Sequence, residues 1–211
     1  MNFQQIAQGV NTAGLLKELL EQPELWNKNP SRLSKMGPHH ESQDIFIRYK
    51  NEEPNFENAQ GWLKFSDEHI SEWYKSIDFL PSCKPLIFDL MAAVKAEMLG
   101  GVLIYKLEPG AKIYPHQDHG WHPEFYDKFN ICLQSNPEAA FCYKEDQFVQ
   151  KAGDVHFFKN DVTHSVVNNG DCAHIVMVVC VRLDRGFRVP WSPAGWSLEK
   201  QCREALCQHH G

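Results

Sequence analysis

Two histidines and an aspartate are the residues in this sequence whose types and spacing best suit chemistry. His116 and Asp118 lie in the tripeptide HQD, and His164 follows in the segment KNDVTHSVVNNG. Two imidazoles and one carboxylate can hold one face of a metal ion and leave the other face open, which suits non-haem Fe(II) in oxygenases. The sequence therefore predicts a metal site with these three ligands, in preference to histidines that only lie on the surface or in the core.

The spacing of His116 and Asp118 has a simple reason if they lie on a strand or at its end. Residues i and i+2 of a strand point to the same side, so both side chains can reach inward together. His164 must then come from elsewhere in the fold, and a barrel of antiparallel strands could bring it there.

The second half of the sequence has the pattern of such a barrel. From Val102 onward, short strand-like runs alternate with turns, among them Glu108-Pro109-Gly110 and the strong hairpin signal Asn169-Gly170. Many short strands at this spacing indicate a barrel or a sandwich.

The first hundred residues are expected to be mostly helical, with one strand at 44–49. A helix that opens at Pro85 is expected to stop at Gly100-Gly101. Helices first and strands afterwards predict helices that support one side of a β-structure. We therefore expect one mainly β domain over 1–211, with a helical support region, a β core and a C-terminal loop and helix at 1–100, 101–184 and 185–211.

Composition limits the possible functions. The 211 residues fit one domain, and 21 Lys and Arg against 27 Asp and Glu give a net charge of −6, so we expect no nucleic-acid partner. No apolar run approaches the length of a membrane span, and we expect no secretion signal. Seven cysteines without a CxxC pair predict a reducing, cytoplasmic setting. The expected partner is a small-molecule or peptide substrate, and the oligomeric state stays open.

The order of the motifs YPHQD, KFNICLQ and GDVHFFKNDVTHSVVNNG, followed by a long apolar strand, resembles a known family. It is similar to the aspartyl/asparaginyl β-hydroxylase branch of the Fe(II)/2-oxoglutarate-dependent oxygenases, which includes bacterial cis-proline hydroxylases. The resemblance implies a double-stranded β-helix, a cupin-like jelly roll. It also implies Fe(II), 2-oxoglutarate and O2, and hydroxylation of a C–H bond in a protein Asp or Asn side chain or a free amino acid, coupled to formation of succinate.

The resemblance assigns roles to individual residues. His116, Asp118 and His164 match the metal positions, and Tyr105, Lys128 and Asn130 match positions that help bind the co-substrate. Where an arginine is expected to hold the far carboxylate of 2-oxoglutarate, this chain has His174, and Lys128 or Arg182 could supply the missing charge. If His174 is the clamp, co-substrate binding should strengthen as the pH falls through the ordinary histidine pKa of about 6.5.

The candidate substrate residues are Arg48, His40, Trp121 and His122, and the guanidinium of Arg48 would suit a carboxylate on the substrate. Two alternatives stay open. A cupin-like metalloenzyme that does not use 2-oxoglutarate is favoured by His174 in place of arginine. A non-catalytic jelly-roll binding module is disfavoured by the intact set of metal ligands.

Overall fold

Strands dominate the described part of the chain, which is residues 2–28, 37–49 and 71–183 of a computed structural model. The predicted C-terminal loop and helix at 185–211 lie outside these residues. The strands are β1 Phe3–Ala7, β2 Gln43–Tyr49, β3 Glu72–Trp73, β4 Ala96–Leu107, β5 Lys112–His116, β6 Asp127–Gln134, β7 Ala139–Tyr143, β8 Gln147–Phe148, β9 Val155–Phe158, β10 His164–Asn168 and β11 His174–Leu183. The α-helices are α1 Ala13–Glu21, α2 Ser76–Phe79, α3 Cys83–Ala93 and α4 Trp121–Phe125.

In the described residues the strands form two antiparallel sheets. The larger sheet has the order β1-β9-β6-β11-β4-β2-β3, and the smaller has the order β5-β10-β7-β8. Two facing sheets with these crossovers form the predicted double-stranded β-helix, a mainly β, cupin-like jelly roll with helices near the N-terminus. No helix in the described ranges is long and apolar enough to cross a membrane.

The larger sheet is covered on both faces, which explains the apolar run of β11. One face packs against α1 and α3 through a cluster that includes Leu15, Ile87 and Met177. The other face packs against the smaller sheet through a second cluster that includes Phe141 and Val176. A strand that is buried on both faces has apolar residues at successive positions rather than at alternate ones.

The predicted helix stop at Gly100-Gly101 is wrong. Helix α3 ends at Ala93, Lys95 turns the chain with a φ of 53°, and both glycines lie inside β4. A Cβ on Gly100 would lie 2.7 Å from the ring of Tyr126, and one on Gly101 would lie 3.0 Å from the ring of Tyr49. The glycines are therefore needed for the close approach of two aromatic rings, and not for ending a helix.

The expectation of a single strand in the first hundred residues is also wrong. That region contains β1, β3 and the start of β4 besides β2. Strand β1 pairs with β9, and Phe3 lies opposite Phe158. This pairing joins segments that are far apart in the chain, so no local pattern in the sequence indicates it.

The two predicted turns exist, but each carries the chain from one sheet to the other. The turn at Gly110, which has a φ of 82°, joins β4 to β5, and Asn169-Gly170 joins β10 to β11. The hairpin predicted at Asn169-Gly170 is therefore wrong, because β10 and β11 do not pair. The side chain of Asn168 instead holds this crossing, donating 2.9 Å hydrogen bonds to the carbonyls of Leu107 and Cys172.

The contact between Gly100 and Tyr126 leads to a stability prediction. Gly100→Ala should lower the free energy of unfolding by about 1–3 kcal/mol, because the new methyl group overlaps a buried ring. Gly101→Ala, in the same strand but with a looser contact, should cost less. Chemical denaturation of both variants measures the difference, and a larger loss for Gly101→Ala would contradict this view of the packing.

Candidate metal centre

The structure brings His116, Asp118 and His164 together at one end of the space between the sheets. His116 ends β5 and His164 begins β10, and the two are register partners. Asp118 follows β5 by two residues, and its N–H donates a 2.9 Å hydrogen bond to the carbonyl of Asn160. One ligand atom from each of the three side chains lies within 4.8 Å of the others.

In both histidines Nδ1 faces a backbone carbonyl, so Nε2 is the ring nitrogen that is available to a metal. Nδ1 of His116 lies 2.7 Å from the carbonyl oxygen of Tyr114, and Nδ1 of His164 lies 2.8 Å from that of Val162. A carbonyl oxygen only accepts, so Nδ1 carries a proton in each ring, and in the neutral ring Nε2 has the free lone pair. A backbone carbonyl on the second nitrogen is the usual way in which proteins orient a metal-binding histidine.

Asp118 presents a single free oxygen. Its Oδ2 accepts hydrogen bonds from Nζ of Lys128 and, at 3.1 Å, from Nδ2 of Asn160. Its Oδ1 lies 3.8 Å from Nε2 of His116. Burial raises the pKa of Asp118, but the charge of Lys128 and the hydrogen bonds outweigh it, so the pKa is lowered overall and the carboxylate is ionised.

His164 is kept neutral by its surroundings. Its ring packs 5.4 Å from that of Phe141 and 5.9 Å from that of Phe158, measured between ring centroids. Burial lowers the pKa of His164 to about 4. A neutral imidazole does not have to lose a proton before it binds a metal. Two imidazole nitrogens and one carboxylate oxygen therefore meet, and this donor set fits Fe(II) or Mn(II).

His174 lies deeper between the sheets, where burial opposes a charge on its ring. Its Nδ1 lies 2.9 Å from Oγ of Ser135, and its ring centroid lies 6.0 Å from that of Tyr105. Burial lowers the pKa of His174 to about 4. Burial therefore disfavours the imidazolium, and the role of His174 as a charged clamp stays a prediction.

The two residues that were expected to compensate for His174 already contact other groups. Lys128 holds the metal-binding carboxylate of Asp118. Nε of Arg182 donates a 2.8 Å hydrogen bond to Glu97, and its guanidinium carbon lies 4.1 Å from the ring centroid of Phe125. Asn130 is fully buried on β6. The co-substrate roles of these residues and of Tyr105 stay predictions.

Two of the candidate substrate residues lie against aromatic rings of neighbouring residues, and their substrate roles stay predictions. The guanidinium of Arg48 lies 5.0 Å from the ring centroid of Trp73. The ring of His122 lies 5.0 Å from that of Tyr126. Trp121 begins α4, but its side chain is outside the described part of the structure.

The sequence did not distinguish between two adjacent histidines. The ring of His40 stacks on Tyr114 at 4.7 Å, on the exposed side, whereas the ring of His39 lies 4.7 Å from the ring of His116. His39 is therefore the residue of this pair that borders the metal centre. The pair itself was visible in the sequence, but which ring faces the site depends on how the loop crosses β5.

No protein-family model and no curated protein sequence matches this chain. Among solved structures, a viral collagen prolyl hydroxylase from Paramecium bursaria Chlorella virus-1 aligns at 10% identity over 87% of this chain and 97% of its own, with a TM-score of 0.49. An oxidoreductase of the 2OG-Fe(II) oxygenase family from Burkholderia pseudomallei aligns at 11% identity over 67% of this chain and 66% of its own, with a TM-score of 0.48.

A sugar phosphate isomerase of a cupin superfamily from Silicibacter pomeroyi aligns at 18% identity over 75% of this chain and 69% of its own, with a TM-score of 0.36. Oxygenases and cupins thus both occur among the similar structures. At these identities and TM-scores, the function of this chain has to follow from its own site.

Metal binding can be tested with variants of the three ligands. His116→Ala and His164→Ala should abolish binding of one Fe(II) or Mn(II) per chain, and Asp118→Ala should weaken it strongly. Asn160→Ala should weaken it by about 10–100-fold, because Asn160 only orients a ligand. The control is His119→Ala, an exposed histidine of the same loop that lies outside the cluster. Unchanged metal stoichiometry in both histidine variants would refute the site.

The protonation of His174 can be measured by NMR, with His174→Gln to assign the imidazole signal. We expect the ring to titrate near its pKa of about 4, well below the ordinary value of 6.5. Since the unfolded chain takes up this proton first, the free energy of unfolding should fall as the pH drops from about 6.5 towards 4. A titration midpoint at the ordinary histidine pKa of 6.5 would instead support His174 as a charged clamp for 2-oxoglutarate.

Proposed function

We propose that this chain is an Fe(II)- and 2-oxoglutarate-dependent dioxygenase that hydroxylates a C–H bond of an amino-acid-type substrate. The observation that carries the proposal is the convergence of His116, Asp118 and His164, with both Nε2 atoms and one carboxylate oxygen left available. Three ligands on one side of a metal leave room for a co-substrate and O2. The substrate would be an Asp or Asn side chain of a protein, or a free amino acid.

In this reaction one atom of O2 enters the substrate and the other enters succinate, while 2-oxoglutarate loses CO2. Bound Fe(II) supplies the oxidising chemistry, and the protein supplies position and shielding. Nε2 of His116, Nε2 of His164 and Oδ1 of Asp118 would hold the metal. The ammonium of Lys128 keeps Asp118 ionised, and the rings around His164 keep water away from it.

The interior of the fold has a polar group suited to a co-substrate. Asn130 is 0% exposed, and neither Nδ2 nor Oδ1 of its side chain has a hydrogen-bond partner among the described residues. It lies two residues along β6 from Lys128, which contacts a metal ligand. A ligand that reaches from the metal into the space between the sheets would meet this amide.

Arg48 supports a substrate that carries a carboxylate. Its guanidinium stacks on Trp73, and its buried Nε has no hydrogen-bond partner within the described ranges. An arginine that keeps a donor free can hold a carboxylate through two parallel hydrogen bonds. Amino acids and peptides have such groups.

One observation favours a second candidate function, a cupin-like metalloenzyme that does not use 2-oxoglutarate. Burial disfavours a charge on His174, Lys128 is bound to Asp118, and Arg182 is bound to Glu97. A second carboxylate deep in the site would have to compete for one of these cations. A non-catalytic binding module has less support, since it has no need of three converging metal ligands.

The function can be tested by loading the protein with Fe(II) and measuring succinate release over free amino acids and peptides that contain Asp or Asn. We expect substrate-stimulated succinate release that His164→Ala abolishes and His119→Ala retains. Oxygen uptake without 2-oxoglutarate would select the cupin-like alternative, and no turnover with bound metal would select the binding module. Turnover stimulated only by oligonucleotides or lipids would refute the amino-acid-type substrate.

The expected setting of this reaction is the cytoplasm, with no nucleic-acid or membrane partner. The net charge of −6 and the seven cysteines support it. These remain predictions.

A further inference from the structure

Asn130 lies on the inner face of the larger sheet. It is the register partner of Val178 on β11 and of His156 on β9. Residues directly opposite each other in an antiparallel pair project from the same face. Val178 belongs to the apolar cluster between the two sheets. The unpartnered amide of Asn130 is therefore directed into the space between the sheets, next to the metal end of β6.

A second unpartnered polar atom lies beside this position. Nε2 of Gln150 lies 3.2 Å from Nδ1 of His156, and the two residues are 3% and 5% exposed. Oε1 of Gln150 is buried without a hydrogen-bond partner among the described residues. The ring of His156 stacks at 4.7 Å on Phe148. We call Asn130, Gln150 and His156 the interior polar cluster.

The interior polar cluster is uncharged. It consists of two amides and one histidine, and burial lowers the pKa of that histidine, His156, to about 4. The nearest cation on the same face of β6, Lys128, holds Asp118. A buried amide with no partner destabilises the folded state, because its hydrogen bonds to water are lost and not replaced. A ligand with matching donors and acceptors would replace those lost hydrogen bonds.

The free groups specify the chemistry of that ligand. Within the described part of the chain, Asn130 has both donors and an acceptor free, and Gln150 adds an acceptor. A carboxamide matches them, since it can donate to one amide oxygen and accept from the other amide nitrogen. A carboxylate accepts only, and it would be buried without a cation.

We propose that the interior polar cluster binds the far end of the metal-chelating 2-oxo acid through hydrogen bonds to an uncharged group. The protein would then accept a 2-oxo acid that ends in a carboxamide at least as well as 2-oxoglutarate. This inference rests on the proposed function, and it deepens that proposal by naming how the co-substrate is selected.

The first test compares three ligands by calorimetry on the Mn(II)-loaded protein. They are 2-oxoglutarate, its 5-carboxamide, and 2-oxopentanoate, which has no polar group at the far end. The amide nitrogen of the carboxamide can add to its own 2-oxo group, so its affinity is calculated from the open-chain fraction measured by NMR. On that basis we expect it to bind at least as tightly as 2-oxoglutarate, and about tenfold or more tightly than 2-oxopentanoate. Binding of 2-oxoglutarate tenfold or more tightly than the carboxamide would overturn the proposal, because it would reveal a charged partner.

The second test needs no ligand. Asn130→Val removes an unpartnered amide from the core and should raise the Tm by about 2 °C or more, while weakening the carboxamide ligand about tenfold and leaving 2-oxopentanoate unaffected. The matched control is Asn136→Val. Asn136 is also buried, but its side chain hydrogen-bonds to Asn168 and Cys172. That variant should lower the Tm.

A fall in Tm for Asn130→Val as large as that for Asn136→Val would overturn the polar cluster as a ligand site, since it would show an internal role for the amide. This outcome is distinct from failure of the proposed function. Binding of none of the three ligands to protein that does hold the metal would overturn the 2-oxo acid as co-substrate and with it this proposal. A higher Tm for Asn130→Val would even then show that the amide has no internal partner.

Discussion

The antiparallel register between β5 and β10 is the constraint on which the metal centre depends. It sets His116 directly opposite His164, at the point where one strand ends and the other begins. Both rings are then anchored through Nδ1 to carbonyls of their own chain segments. A shift of one residue in this pairing would turn one histidine to the other face of the sheet and remove it from the site. The apolar contacts of Val166 and Ile113 between the sheets oppose that shift.

A second constraint is electrostatic. Asp118 and Lys128 form a partly buried ion pair, with side chains that are 24% and 18% exposed. Such a pair is costly to break from one side, because the partner that remains is a charge without compensation. The ion pair keeps the carboxylate of Asp118 ionised, and it leaves Oδ1 directed towards His116. It also engages Lys128, whereas Asn130 and Gln150, which are buried further along the interior, carry no charge.

The sequence was most informative where a local pattern and the final geometry coincide. His116 and Asp118 are two residues apart on or beside one strand, so their common direction could be predicted, and the distal histidine followed from the strand pattern. The errors have a different origin. Gly100-Gly101 suggested a helix stop and Asn169-Gly170 a hairpin, but the glycines make room for the rings of Tyr126 and Tyr49, and the turn leads to the other sheet. The lowered pKa of His174 likewise results from burial, which cannot be read from the residue type alone.

Strand β1 has a consequence for the order in which the molecule can be assembled. The carbonyl of Asn2 accepts hydrogen bonds from the N–H of Lys159 and the hydroxyl of Tyr143, and Lys159 precedes the asparagine that steadies Asp118. A segment that is synthesised long before this loop thus completes the loop's frame. Closing contacts between such distant segments is slow. The metal-binding geometry should therefore be among the last features to form, so a nascent chain would stay unable to capture metal until most of its β-structure has folded.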